Sequence, residues 1–214
     1  RHRAQAEVSV PRKKNAWARL VRAKIEGQAS VLENLKIRGS GELLALADQV
    51  RSGDPGNVEA QAARLYWSRT LGRGVGRQPA AGQLIGANAC LDYGYAVLRG
   101  HLMRAVLAAG LAPALGVFHR GRGNAFALAD DLIEPFRPAI DEVALPLPAT
   151  ASPSDREVKQ LLVAAASQRF DVDGHGIPAV AEALAQSFGR YIEGDIDRLQ
   201  VVSWQGPSRV GMGD

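Results

Sequence analysis

Residues 82–109 carry a stripe that leaves the chain little choice of structure: Leu84, Asn88, Leu91, Tyr95, Leu98 and Leu102 follow one another at alternating spacings of four and three. Side chains at that spacing share one face of a helix. The stripe predicts a long helix over 82–109, the buried spine of the domain, with Leu91 and Leu98 nearly inaccessible. Gly110 and Pro113 end it. A second helical period begins near Lys14 and runs through Trp17, Leu20, Val21, Ile25, Leu32 and Leu35, until Gly39, Ser40 and Gly41 break it. ELLALADQV reads as another helix, and SGDPGN as dense turn chemistry. Asn57 is placed to cap VEAQAARLYW, with Glu59 in its first turn, where the helix dipole favours a negative charge. After the glycine-rich loop GVFHRGRGN, the stretch AFALADDLIEPF is helical until Pro135 and Pro138 interrupt or kink it. Helical runs around 154–170 and 178–199 precede a tail, SWQGPSRVGMGD, expected to be loose. With no repeat and no strand-rich region, the fold class is mainly α. The expected partition is a basic linker or remnant of a domain junction over 1–13, one helical domain over 14–200 and a tail over 201–214.

The 214 residues, 46% hydrophobic, suffice for one sizeable core. The single cysteine, Cys90, excludes an internal disulfide framework and a four-cysteine zinc site, which fits a reducing compartment such as the cytoplasm, and Cys90 reads as a small buried apolar group. No apolar run approaches the roughly 20 residues that span a bilayer, and RHRAQAEVSV lacks the apolar core of a signal peptide, so neither membrane nor export is expected. The net charge of +4 is unevenly placed. Residues 1–28 hold eight basic side chains against Glu7 and Glu26, while the remainder is slightly acidic. A basic front on a near-neutral body suits a phosphate-contacting surface, and equally a solvated terminal segment.

Three segments offer chemistry. Asp131 and Glu134, three apart, are expected to share a helix face. His119 ends the apolar run ALGVFH and enters a loop rich in glycine and arginine, where an imidazole can be both anchored and exposed. Carboxylates with an imidazole suit Mg²⁺ or Mn²⁺, the imidazole leaning toward Mn²⁺. Each residue also has an ordinary role: a glutamate early in a helix complements the dipole, and a lone histidine usually finds one hydrogen bond. The Asp-rich neighbourhood of His175 in DVDGHGI mimics a metal loop but reads most simply as a turn. Asn88, on the apolar stripe, reads as a buried structural hydrogen bonder.

The blocks GDPGNVEAQAARLYW and NACLDYGYAVLRGHLMRAVLAAGLAPALGVFHRGRGNAFALADDLIEPFRPAID resemble, in order, the core of the CRISPR adaptation integrase, the endonuclease shared by spacer-acquisition systems. WARLVRAKIEGQASVL is similar to the opening of that family's helical domain, so the resemblance spans roughly residues 14–200. The resemblance implies a metal-binding glutamate in the first block, a histidine after a GLxPxLGxxH stretch and an acidic ligand within DLxEPFRP; here these are Glu59, His119 and Glu134. Glutamate as the third ligand resembles the branch of type II systems. One departure stands out: the family carries a β-rich N-terminal domain, and this chain is expected to start about where that domain ends.

The resemblance implies a divalent-metal-dependent enzyme that joins the 3′-hydroxyl ends of a short DNA duplex to a repeat array by transesterification. Glu59, His119 and Glu134 would hold Mg²⁺ or Mn²⁺ and be catalytic, with Asp131 in support. Arg64, Arg73, Arg77, Arg120 and Arg122, nearest the site in sequence, are the candidates for phosphate contacts, each with ordinary surface charge as its alternative. The implied partners are double-stranded DNA, both prespacer and repeat array, a second copy of the chain and the family's small partner protein. The competing reading is a non-catalytic DNA-binding scaffold.

Overall fold

The computed structural model describes residues 1–72, 76–79, 82–119, 121 and 123–207. Helices α1 (His2–Glu7), α2 (Val10–Asn34), α3 (Ser40–Gln49), α4 (Val58–Thr70) and α5 (Gly86–Ala108) form the first half. Helices α6 (Ala127–Leu132), α7 (Arg137–Ala144), α8 (Arg156–Ala165) and α9 (Ile177–Glu193) follow, with a 3₁₀ turn at Glu134–Phe136. The described residues contain no strand, only an isolated bridge between Arg169 and Gly176. The mainly α expectation holds.

The two long helices organise the rest. α2 packs on α3, α4, α7 and the 3₁₀ turn, while α5 packs on α6, α7, α8 and α9. Touching both, α7 joins the two halves of the core. The approach of α5 to α7 is close: a Cβ on Gly94 would stand 2.4 Å from Ile140 Cγ2, so any larger residue would push α7 away. Leu91, Leu98 and Leu102 are fully buried, as the stripe predicts. Leu84 is not: the backbone stays extended through Ile85, and the helix starts only after the Gly86 amide donates to Ala151 O at 2.8 Å. Leu84 is therefore 77% exposed.

Other boundaries shift for identifiable reasons. α2 begins at Val10, ahead of the expected start near Lys14, because Ser9 accepts from the Arg12 amide and Pro11 suits the first turn. α1 does more than link. The Gln5 amide group is buried, donates to Ala112 O and Leu115 O at 2.9 Å each and accepts from Ala112 N at 2.8 Å, pinning the loop after α5. Pro135 falls in the 3₁₀ turn and Pro138 in the first turn of α7, where a missing N–H costs nothing. The tail expectation needs correcting through residue 207. Trp204 is fully buried, packs against Phe170 and donates its indole N–H to Glu142 Oε2 at 2.6 Å. Residues 208–214 lie outside the described residues.

Candidate active site

Glu59 sits in the first turn of α4. The expected cap, Asn57, makes no side-chain bond there; Asp54 caps instead, accepting from the Val58 and Glu59 amides at 2.9 Å each. This holds the Glu59 backbone at the helix start and turns its carboxylate toward α2. There Lys24 Nζ lies 2.7 Å from Glu59 Oε1 and 2.6 Å from Glu134 Oε2. The two carboxylates, 75 positions apart in sequence, share one ammonium.

Glu134 occupies the 3₁₀ turn and is 4% exposed. Because α6 ends at Leu132, Asp131 and Glu134 do not share a helix face as expected; each turns to different partners. Arg137 Nε stands 3.1 Å from Glu134 Oε1, the second positive charge on this buried group. Burial alone would raise the Glu134 pKa, but Arg137 and Lys24 outweigh it and hold the carboxyl below its ordinary value. Likewise burial works against the Lys24 ammonium, and Glu134 and Glu59 more than reverse that, raising its pKa. Lys24, Glu134 and Arg137 are thus each held in their charged forms by one another. Lys24 is the residue that sequence reasoning missed. Its signal was a charged side chain on the stripe of Trp17, Leu20, Val21 and Ile25, a position that burial makes costly unless the charge is matched.

Asp131 is fully buried and organises the histidine loop. Its carboxylate accepts from the Val117, Phe118 and His119 amides and lies 2.6 Å from His119 Nδ1. Gly116 makes this possible, since a Cβ there would come within 2.5 Å of His119 O and 2.8 Å of Asp131 Oδ2. With Nδ1 engaged, Nε2 is the ring nitrogen left to act. The bond to Asp131 raises the His119 pKa above its ordinary value, and the charge of Glu134 reaches the same ring. His119 also meets the edge of Trp17, whose indole stacks on Phe118 at 4.3 Å. A cleft of about 640 Å³ opens beside His119, lined by Lys13, Leu115, Gly116 and Asn124 among others. Asp130, next to Asp131, instead pairs with Arg99 and accepts from Asn124 at 2.7 Å.

Beneath the site, Tyr66 and Tyr95 both donate to the buried carboxyl of Asp141. Arg137 stacks over the Tyr95 ring at 4.7 Å, linking this network to Glu134. Arg77 does not fit the phosphate role expected of it. Its side chain is 8% exposed, pairs with Asp92 and donates to Asn88 at 2.9 Å, so Asn88 is the structural hydrogen bonder expected. Arg64 is exposed on α4, while Arg73, Arg120 and Arg122 lie outside the described residues. The basic front end is partly committed to folding. Arg1 binds Ala109 O and Gln186, and Arg12 binds Tyr191 O and Asp197.

Among the described residues, it is Asp171, Asp173 and His175 that bring three potential ligand atoms within 4.8 Å of one another. Glu59, His119 and Glu134 are not drawn that close, and the Lys24 ammonium stands between the two carboxylates. No helix among the described residues is long and apolar enough to cross a membrane.

The helical domain thus gathers carboxylates from separate elements around one half-buried cation, and a further carboxylate braces the imidazole of His119. The chain belongs to the family described as CRISPR associated protein Cas1, whose model matches residues 1–157. It is 45% identical over 138 residues to the CRISPR-associated endonuclease Cas1 of Neisseria meningitidis serogroup C, covering 64% of this chain and 44% of that protein. Against a Cas1 endonuclease of Thermus thermophilus it is 35% identical over 138 residues, covering 62% and 41%. The chain thus spans less than half the length of these relatives. A casposase bound to integration product shares the fold at a TM-score of 0.76, with 18% identity over 99% of this chain and 69% of that one. A Cas1 protein from Thermotoga maritima matches at 0.67, with 19% identity, over 89% and 69%.

Proposed function

We propose that this chain is the catalytic helical domain of a divalent-metal-dependent DNA endonuclease and integrase of CRISPR adaptation, with Glu59, His119 and Glu134 as ligands and Asp131 orienting His119. The observation that carries this is the convergence of Glu59 and Glu134, from separate helical segments, on a single cationic point. A buried carboxylate whose Oε2 has no aligned hydrogen bond, and which already faces one cation, fits a metal ligand. The donor set of two carboxylates and an imidazole suits Mg²⁺ or Mn²⁺. When bound, such an ion would polarise the attacked phosphoryl group and neutralise the leaving oxygen.

The chain's own residues supply the rest. Asp131 fixes the His119 tautomer and ring plane so that Nε2 is presented without a reorganisation cost. Arg137 keeps Glu134 ionised in its buried setting. Lys13, on the rim of the cleft beside His119, is positioned for a phosphate, and Arg64 is free to make another. The substrates we assign are a short duplex ending in 3′-hydroxyls and a repeat array, joined by transesterification. A solved assembly that shares this fold at a TM-score of 0.77 and 16% identity is a partial Cas6-RT-Cas1–Cas2 complex, which supports a protein of the Cas2 kind as a partner; a second copy of this chain is the other partner we assign.

The test is strand transfer of a labelled 3′-hydroxyl duplex, and cleavage of branched DNA, in MgCl₂ or MnCl₂ against EDTA. Metal-dependent products are expected. Tight DNA binding with no cleavage in either metal would select the scaffold reading instead.

A further inference from the structure

Lys24 lies on the buried face of α2, 14% exposed, with its ammonium within hydrogen-bond distance of two carboxylates that come from two other elements. Glu59, Glu134, Lys24 and Arg137 together carry no net charge, so the cluster is balanced as it stands. A divalent cation added to that balanced set would leave an excess of two positive charges in a largely buried space, which is costly. Space forbids it as well: metal–oxygen bonds of roughly 2.0–2.6 Å place an ion where the ammonium now touches Glu134 Oε2. A lysine, a compact charge on a flexible four-carbon stem, can leave such a position without moving the helix.

We infer that Lys24 is a resident counter-cation: it pairs with Glu59 and Glu134 until a divalent metal displaces its ammonium, so that metal loading and release of Lys24 are one event. This rests on the ligand set proposed above. Two consequences follow. Metal affinity of the chain is lower than its ligands alone would give, because binding must displace an ion pair. Removing the Lys24 charge must therefore tighten metal binding, the opposite of what loss of a merely structural lysine would do.

The experiment is titration of the 214-residue chain with MnCl₂, followed by electron paramagnetic resonance of free Mn²⁺, for the wild type, Lys24→Met, Lys24→Arg and Glu134→Gln. We expect Lys24→Met to bind Mn²⁺ roughly tenfold more tightly, the usual size of coupling between contacting groups. Lys24→Arg, which keeps the charge, should bind no more tightly than the wild type, and Glu134→Gln should abolish the site. If Glu134→Gln abolishes binding while Lys24→Met binds no tighter than the wild type, the counter-cation role is overturned and the ligand set stands. Unchanged binding in Glu134→Gln would overturn the ligand set itself.

Lys24→Met leaves Glu134 with Arg137 and takes from Glu59 the ammonium it pairs with, which can unfold the chain, so a second measurement uses the wild type alone. Acetylation of lysines by an N-hydroxysuccinimide ester, read by peptide mass spectrometry, should proceed at Lys24 several-fold faster in MnCl₂ than in EDTA, with Lys159 on α8 unchanged. Equal Lys24 labelling at saturating Mn²⁺ would overturn the displacement.

Discussion

Two groups of acidic side chains and a histidine stand in this molecule, and they differ in everything but composition. Asp171, Asp173 and His175 lie within a single exposed turn, their ligand atoms already within 4.8 Å of one another. His175 is tied to Asp171 through both its amide and its ring. Glu59, His119 and Glu134 come from α4, a loop and a 3₁₀ turn, and are held by the half-buried countercharges of Lys24 and Arg137 and by Asp131 rather than by one another. The exposed group is local, so it costs the fold little and is screened by solvent. The second group, of which Glu134 is buried, Glu59 half-buried and His119 exposed, exists only because the core packs α2 against α4 and the turn before α7. The first group rests on local proximity; the second has packing, countercharge and hydrogen bonds committed to it, and these keep Glu134 away from water.

The sharpest way to break this contrast is to neutralise one carboxylate in each group. Glu134→Gln should lower strand transfer roughly 10³-fold, since a charge that would face the reacting phosphate is lost from a preorganised setting. Asp171→Asn should leave the rate within about twofold. Comparable losses in the two variants, measured under identical metal and salt, would erase the distinction.

Next in size is Asp131→Ala. It strips a buried carboxylate from three amides and an imidazole, leaving several donors unsatisfied, and should cost roughly 3 kcal/mol in urea unfolding. The loss should be local to the 116–119 loop at first, visible as faster amide exchange at Val117 and Phe118. Full stability with unchanged exchange would mean the loop is held by the Gln5 clamp and the Trp17–Phe118 stack alone.

The buried side of the comparison also has a pH signature. Burial pushes the Asp141 carboxyl from its ordinary 3.8 up to about 6, against the opposing bonds from Tyr95 and Tyr66. Between those values the folded chain holds a proton that the unfolded chain has released. This group's stabilisation is therefore fully present below pH 3.8 and is lost as pH rises through about 6, a difference of at most about 3 kcal/mol. Asp141→Asn should flatten the dependence of the melting temperature on pH across that window. A wild type whose stability rises steadily from pH 4 to 6, with no change in slope in the variant, would show that Asp141 does not titrate there.

How much of this was legible beforehand divides along the same line. Periodicity found the α5 spine, because Leu91 and Leu98 repeat on one face and nothing competes with that pattern. The ordered family motifs pointed to Glu59, His119 and Glu134, which no spacing within one segment could have joined. What stayed hidden depends on tertiary partners. Arg77 looked like a phosphate binder until Asp92 and Asn88 claimed it, and Asn57 looked like a cap until Asp54 reached further. Lys24 was counted with the basic front end, although the apolar residues around it marked its face as inward. Residues 1–13 read as a linker because six residues are too few for a stripe, yet Gln5 anchors the loop that leads to His119.

The smallest expected effect completes the comparison from the exposed side. His175 keeps its ring 2.9 Å from Asp171 Oδ2, but with its side chain 59% exposed the pair is screened and held mainly by the turn backbone. The Gly174 amide still donates to Asp171 O at 3.1 Å whatever stands at 175, and Phe170 N still donates to His175 O at 2.8 Å through the main chain alone. His175→Ala therefore removes only a surface interaction, worth about 0–1 kcal/mol, and that should shrink further in high salt. Unfolding of the variant in urea at low and high NaCl measures this directly. A loss much larger than about 1 kcal/mol, or one that persists in high salt, would show that the turn is coupled to the core. Mn²⁺ binding that vanished in His175→Ala but survived in Glu134→Gln would move the metal centre to the exposed turn.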